Sequence, residues 1–286
     1  MFIKSSNQPV SYHWKDVVQR LSAEKNWQKA SHYLSLHEQE NGIKIKRLWQ
    51  ILDQAWDELK ISKPDADLSE FLYEYYQHPV WLINAAFSES DESTISDRLA
   101  AVRLIAHNHP KKVLDFGGGI GTVARLCSIT LPNIQHIDLV DITDFRHTIQ
   151  NYLEEFSNIR VLECPEPPYD AIISTEVLEH LPDPVEAVIE MNKLLRAGGG
   201  FVASWSFNPC IKCHLPQNFH LNNIMHWIIR SLGFGFYGFE RRGSGVYSYV
   251  KQADITTKMI TQARRLEQLS RFSLPLDRLF LFVRGL

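Results

Sequence analysis

Asp115-Phe116-Gly117-Gly118-Gly119-Ile120-Gly121 follows the apolar pair Val113-Leu114, and Asp141 stands 20 residues beyond the last of these glycines. Glycine lacks Cβ and tolerates positive φ, so main-chain N–H and C=O groups in such a turn can come within hydrogen-bonding distance of a small polar ligand. Asp141 closes a second apolar run, His136-Ile137-Asp138-Leu139-Val140. A carboxylate there can accept from two vicinal hydroxyls, or cap a helix that opens near residue 143. The spacing is D-x-G-x-G-x-G. The dinucleotide fingerprint G-x-G-x-x-G fails, because Thr122 occupies the place of its third glycine. His180, His214 and His220 lie in loop-like stretches, and neutral imidazole has a pKa suited to taking a proton from a hydroxyl.

The elements that must position these groups follow from hydrophobic spacing. From Lys111 onward, short apolar runs alternate with amphipathic segments, which predicts βαβ units and a mostly parallel sheet. Strands are expected at 111–116, 135–141, 159–163, 169–174, 200–205, 234–240 and 278–284, with helices at 120–130, 143–156, 183–196 and 222–232. Asp183 as N-cap, Pro184 at the first helical position and Gly198 just past the last turn delimit the third of these helices. Residues 1–108 show helical spacing at Trp14–Leu21, Lys44–Leu59, Leu68–Tyr76 and Ile95–Ile105, and read as a helical cap or oligomerisation segment. The stretch 246–273 reads as a helical insertion.

Two further runs carry a resemblance. Tyr169-Asp170-Ala171-Ile172-Ile173-Ser174 leads into Thr175-Glu176-Val177-Leu178-Glu179-His180-Leu181-Pro182-Asp183-Pro184, and Leu195-Arg196-Ala197-Gly198-Gly199 precedes the fifth expected strand. With the glycine loop and Asp141 they make four ordered motifs, which together resemble class I S-adenosylmethionine-dependent methyltransferases. The group that acts on ubiquinone precursors, sugars and other small metabolites is the most similar, and the resemblance spans 109–286.

It implies an α/β fold, a Rossmann-like seven-stranded, mostly parallel sheet with helices on both faces, here with an N-terminal helical cap. It also implies S-adenosylmethionine as cofactor and S-adenosylhomocysteine as product. The loop at Asp115, Gly117, Gly119 and Gly121 would hold the methionine end, Asp141 the ribose and Ile142 one adenine face. Glu176 or Glu179 would hold substrate or the cofactor amine. The connection Cys164-Pro165-Glu166-Pro167-Pro168 is shorter than is usual in the family, which leaves Glu163 or the backbone of Cys164 to meet adenine. His180 would face the reactive end, with His214 and His220 as further bases. Tyr73, Tyr76, Trp81 and Trp205 would line the acceptor pocket. The acceptor would be a hydroxyl, carboxylate or amine of a small metabolite or peptide. Methylation at carbon, transfer of another group, or an inactive partner subunit are the alternatives.

Composition narrows the partners. In 286 residues with a net charge of −3 there is no basic footprint for nucleic acid or an anionic bilayer. No apolar run is long enough for a membrane span or a signal peptide, so a cytoplasmic protein is expected, and the cap could mediate a homodimer. Cys127, Cys164, Cys210 and Cys213 are expected to be thiols. Cys210-Ile211-Lys212-Cys213-His214 matches the covalent haem signature C-x-x-C-H, which requires export in most systems. Cys210 and Cys213 with two of His214, His220 and His226 could also close a zinc site. Methyl transfer to oxygen requires no metal, and none is expected.

Overall fold

The computed structural model describes residues 9–272 apart from 242 and 244. Helices α1 (Trp14–Leu21), α2 (Lys25–Ser31), α3 (Leu36–Asn41), α4 (Ile45–Ser62), α5 (Leu68–Tyr76), α6 (Val80–Ser90) and α7 (Glu92–Ala106) precede β1 (Lys112–Phe116). Then follow α8 (Thr122–Thr130), β2 (His136–Val140), α9 (Arg146–Tyr152), β3 (Ile159–Leu162), β4 (Tyr169–Thr175), α10 (Pro184–Leu194) and β5 (Leu195–Ser204). The described chain closes with α11 (Met225–Ser231), β6 (Phe234–Glu240), β7 (Val246–Lys251) and α12 (Thr257–Ser270).

The strands form one seven-stranded sheet in the order β3-β2-β1-β4-β5-β7-β6. The first five are parallel, and β7 runs antiparallel between β5 and β6. Strand order reverses between β1 and β4, and a crevice opens at the carboxyl ends there. Parallel strands buried on both faces read as continuous apolar runs, and their side chains divide between two cores. Val113, Ala171, Ile173 and Val202 join one, with α6, α7, α8 and α9; Leu114, Ile172, Phe201 and Ala203 join the other, with α10 and α11. Asp183 caps α10 by accepting from Glu186 N–H at 2.9 Å, with Pro184 in the first turn, as its sequence predicts.

Two expectations change. The strand expected at 278–284 lies outside the described residues. The segment 246–273, expected to be helical throughout, opens as β7 before α12. Val246-Tyr247-Ser248-Tyr249-Val250 is rich in β-branched and aromatic residues, and the segment pairs antiparallel with β6, Glu240 opposite Val246. The helices before β1 do not stand apart from the sheet: α7 packs on β4, β5 and β7, and one apolar cluster runs from Tyr12 through the cap to Val246. Within it, Arg125 of α8 meets Glu89 of α6 at 2.9 Å, both fully buried. The same guanidinium donates to the carbonyls of Pro9 and Val10, fastening the N-terminal segment over the sheet.

Candidate active site

The glycine loop divides its work by position. Gly117 (φ 71°) and Gly121 (φ 90°) pack closely: a Cβ would lie 2.6 Å from Val177 Cγ2 at the first and 2.6 Å from Leu153 Cδ1 at the second. Gly119 (φ 54°) is different, because a Cβ there would meet nothing within 4 Å. Its bare backbone faces the crevice. Its N–H donates to Asp141 Oδ2 at 2.8 Å, and Asp141 Oδ1 accepts from Thr143 N–H at 3.1 Å. The helix-cap alternative for Asp141 gives way to an Asx turn, since α9 begins only at Arg146. A carboxylate offers about four lone-pair sites, so Asp141 retains capacity for ligand hydroxyls.

Beneath the loop, Asp115 supplies the cap that Gly121 cannot. It is buried and accepts from Ala124 N–H in the first turn of α8 at 3.0 Å. Burial pushes its carboxyl up to about 7, opposed by that hydrogen bond and by the Arg98 guanidinium. Glu176 follows β4 at φ 53°, an uncommon conformation for a residue with a side chain, held by N–H bonds to the carbonyl and hydroxyl of Ser204.

Two cavities meet at this edge. The first, of about 600 Å³, runs past Asp115, Gly117, Gly119, Asp141, Ile142, Glu163 and Tyr76. The second, of about 810 Å³, lies between α4 and the loop after β5, with Leu48, Trp49 and Ile211 among its apolar walls and His214 and Asn208 among its polar ones. Trp81, Asn84, Ser88, Arg98, Thr175, Glu176 and His180 border both. The cap closes the first cavity through α5: Gln77 Nε2 donates to Ile142 O and Tyr73 Oη to Asp144 Oδ2, each at 3.0 Å.

A family model described as a methyltransferase domain matches residues 88–236. The ubiquinone biosynthesis O-methyltransferase of Paraburkholderia phytofirmans is 30% identical over 189 residues, 63% of this chain and 79% of that one. The protein of the same name from Paraburkholderia xenovorans is 29% identical over 145 residues, 48% of this chain and 62% of its own length. The chain belongs to the methyltransferase-domain family. This methyltransferase uses S-adenosylmethionine. Its fold is shared by a solved O-methyltransferase family protein from Burkholderia thailandensis, with 13% identity, a TM-score of 0.51 and coverage of 73% of this chain and 71% of that one.

The methyltransferase brings some of the expected residues together and separates others. His180 lies at the border of the two cavities, edge-on to Tyr76, Trp81 and His214. Burial, with His214 beside it, pushes its imidazole down to about 3, too weak a base for the role its residue type suggested. His220 borders neither cavity; it is buried in the turn Pro216–Leu221, which packs on α12. Trp205 is buried against Tyr247, Tyr73 is exposed on the outside of α5, and Cys164 is exposed beyond the crevice; none borders either cavity. The sulfur–histidine grouping Cys210, Cys213, His214, His220 and His226 does not assemble. Cys213 is buried against Tyr75, and His226 bonds Tyr249 Oη. Arg98, Asn84 and Ser88 on the border went unmarked in the sequence. Arg98 looks like an ordinary polar position on α7, and Asn84 and its neighbours sit in an apolar run without helical period.

No described helix is long and apolar enough to cross a membrane.

Proposed function

We propose that this methyltransferase moves the methyl group of S-adenosylmethionine to a hydroxyl oxygen of a small acceptor with an apolar body. The observation that carries the reading is the border shared by the two cavities. In-line displacement at a sulfonium needs a nucleophile aligned behind the methyl carbon and water excluded, more than it needs protein groups to activate the methyl. In this reading the cofactor lies in the 600 Å³ crevice, with its ribose at Asp141, its adenine near Ile142 and Glu163, and its amino-acid end among Gly119, Asp115, Glu176 and Arg98. The guanidinium of Arg98 suits a carboxylate, and Asp115 or Glu176 an ammonium. The acceptor lies in the 810 Å³ cavity and presents its oxygen beside His180. The names of the Paraburkholderia relatives support oxygen as the acceptor atom.

Methyl-labelled cofactor offered with matched phenol, amine and carboxylate acceptors tests this. Label is expected in an ether. Label found only on nitrogen, carboxylate or carbon overturns the choice of acceptor, and failure to bind S-adenosylhomocysteine overturns the placement of the cofactor.

A further inference from the structure

The sheet reaches seven strands within the described residues, so the strand expected at 278–284 is one more than it holds. That run, Arg278-Leu279-Phe280-Leu281-Phe282-Val283-Arg284, is apolar between two arginines. A strand so composed needs cover on both faces and a neighbour for its main-chain groups. One edge of the sheet offers both. Among the described strands β6 pairs with β7 alone, and Phe234–Glu240 contains neither lysine nor proline, which commonly guard an open edge. Phe236 meets the His226 ring of α11 edge-on, and Phe236, Trp227 of α11 and Leu266 of α12 wall a groove of about 680 Å³ beside the strand. Trp227, Phe236 and Phe239 are left 53%, 46% and 45% exposed. On the other face Tyr237 stacks on His107, at the end of α7, and is exposed as well. The opposite edge of the sheet, β3, is only four residues long.

Chain direction selects the occupant. α12 follows β7 from the end of the sheet where Lys251 pairs with Phe234, and its last turn brings Glu267 and Arg271 beside His220. That turn of chain, Pro216–Leu221, lies by the carboxyl ends of the parallel strands, where Asn218 Nδ2 donates to Leu181 O just beyond β4. β6 also finishes there, since Glu240 pairs with Val246 and Val246 with Ser204 at the end of β5. We propose that residues 278–284 pair with the open edge of β6 as an eighth strand, running antiparallel to it. The connection 273–277 contains Pro275, which suits a turn and cannot donate to a ladder. The run and β6 each span seven residues. Alternation puts Leu279, Leu281 and Val283 on one face and Phe280 and Phe282 on the other, so one set meets the groove at Trp227 and Phe236 and the other lies by Tyr237. A second copy of the chain could pair with the same edge, but a short tether gives the chain's own segment an effective concentration on the order of millimolar. The segment thereby keeps copies from joining edge to edge. The proposal does not depend on the methyl-transfer reading.

Hydrogen exchange of the full chain, read by mass spectrometry over peptides that cover 234–240, is the test. Alternate amides of β6 point away from β7, and these are expected to be protected in the wild type at every protein concentration. Leu281→Pro removes a donor from the run and breaks its pairing. The outward amides of β6 are then expected to exchange at least tenfold faster, and the emission of Trp227, read against a Trp227→Phe background, to move to longer wavelength. Leu36→Asp, at an exposed position on α3, leaves both unchanged. Outward amides that exchange freely in the wild type overturn the proposal, as does a folded Leu281→Pro chain in which they stay protected. Protection that appears only as concentration rises, together with a dimer in sedimentation, assigns the edge to a second copy and overturns it too. Where circular dichroism shows that Leu281→Pro has not folded, Leu281→Asp takes its place, and exchange in the wild type can still overturn the proposal alone.

Discussion

Gly119 donates its main-chain N–H to Asp141 Oδ2 across 2.8 Å, which joins the loop after β1 to the carboxylate that ends β2. One side chain thereby shapes the loop and presents lone pairs to a ligand. Asp141→Ala removes both, and charge-assisted hydrogen bonds contribute about 1.5–3 kcal/mol each before water compensates. The dissociation constant for S-adenosylhomocysteine is expected to rise by about tenfold or more, read by calorimetry. Unchanged affinity would remove Asp141 from the site.

The loop glycines separate binding from packing. Alanine at either position incurs the left-handed backbone penalty, about 1–2 kcal/mol. Gly121→Ala also drives a Cβ to 2.6 Å from Leu153, and overpacking of that kind adds about 1–3 kcal/mol. Gly119→Ala meets open space, so its methyl enters the crevice. Denaturant unfolding is expected to show the larger stability loss for Gly121→Ala, and calorimetry a loss of cofactor affinity in folded Gly119→Ala. Equal stability losses, with affinity intact at position 119, would refute the division.

Local pattern reveals an element when its environment is set nearby in the chain. Strands β1, β2 and β4 were legible because burial on both faces makes them short, mostly apolar runs, each broken by a single aspartate, and α10 because Asp183 and Pro184 mark its start. Helix α6 was not, since Val80, Leu82, Ile83, Ala85, Ala86 and Phe87 are all buried and leave no polar stripe. The glycine loop and Asp141 could be found from spacing alone. The state of His180 and Glu179 could not: it depends on Ser206, Asn208, Cys213 and His214, which fold back from more than 25 residues downstream. Residue type suggested a base, and the burial that disqualifies it is tertiary.

Asp115 gives the stability of the fold a pH dependence of definite sign. In an unfolded chain its carboxyl titrates near 3.8, and burial moves it up to about 7 in the folded protein. Between about pH 4 and 7 the folded state therefore retains a proton that the unfolded state has released, so unfolding becomes easier as pH rises. The contribution is complete below the unfolded value and lost above the folded one. Asp115→Asn keeps an oxygen for Ala124 N–H and cannot titrate. Urea unfolding at steps from pH 4 to 8 is expected to show the wild type losing stability relative to this variant across that window. A difference that stays flat, or that grows in favour of the wild type as pH rises, would show that the buried carboxyl is ionised throughout, with Arg98 compensating it.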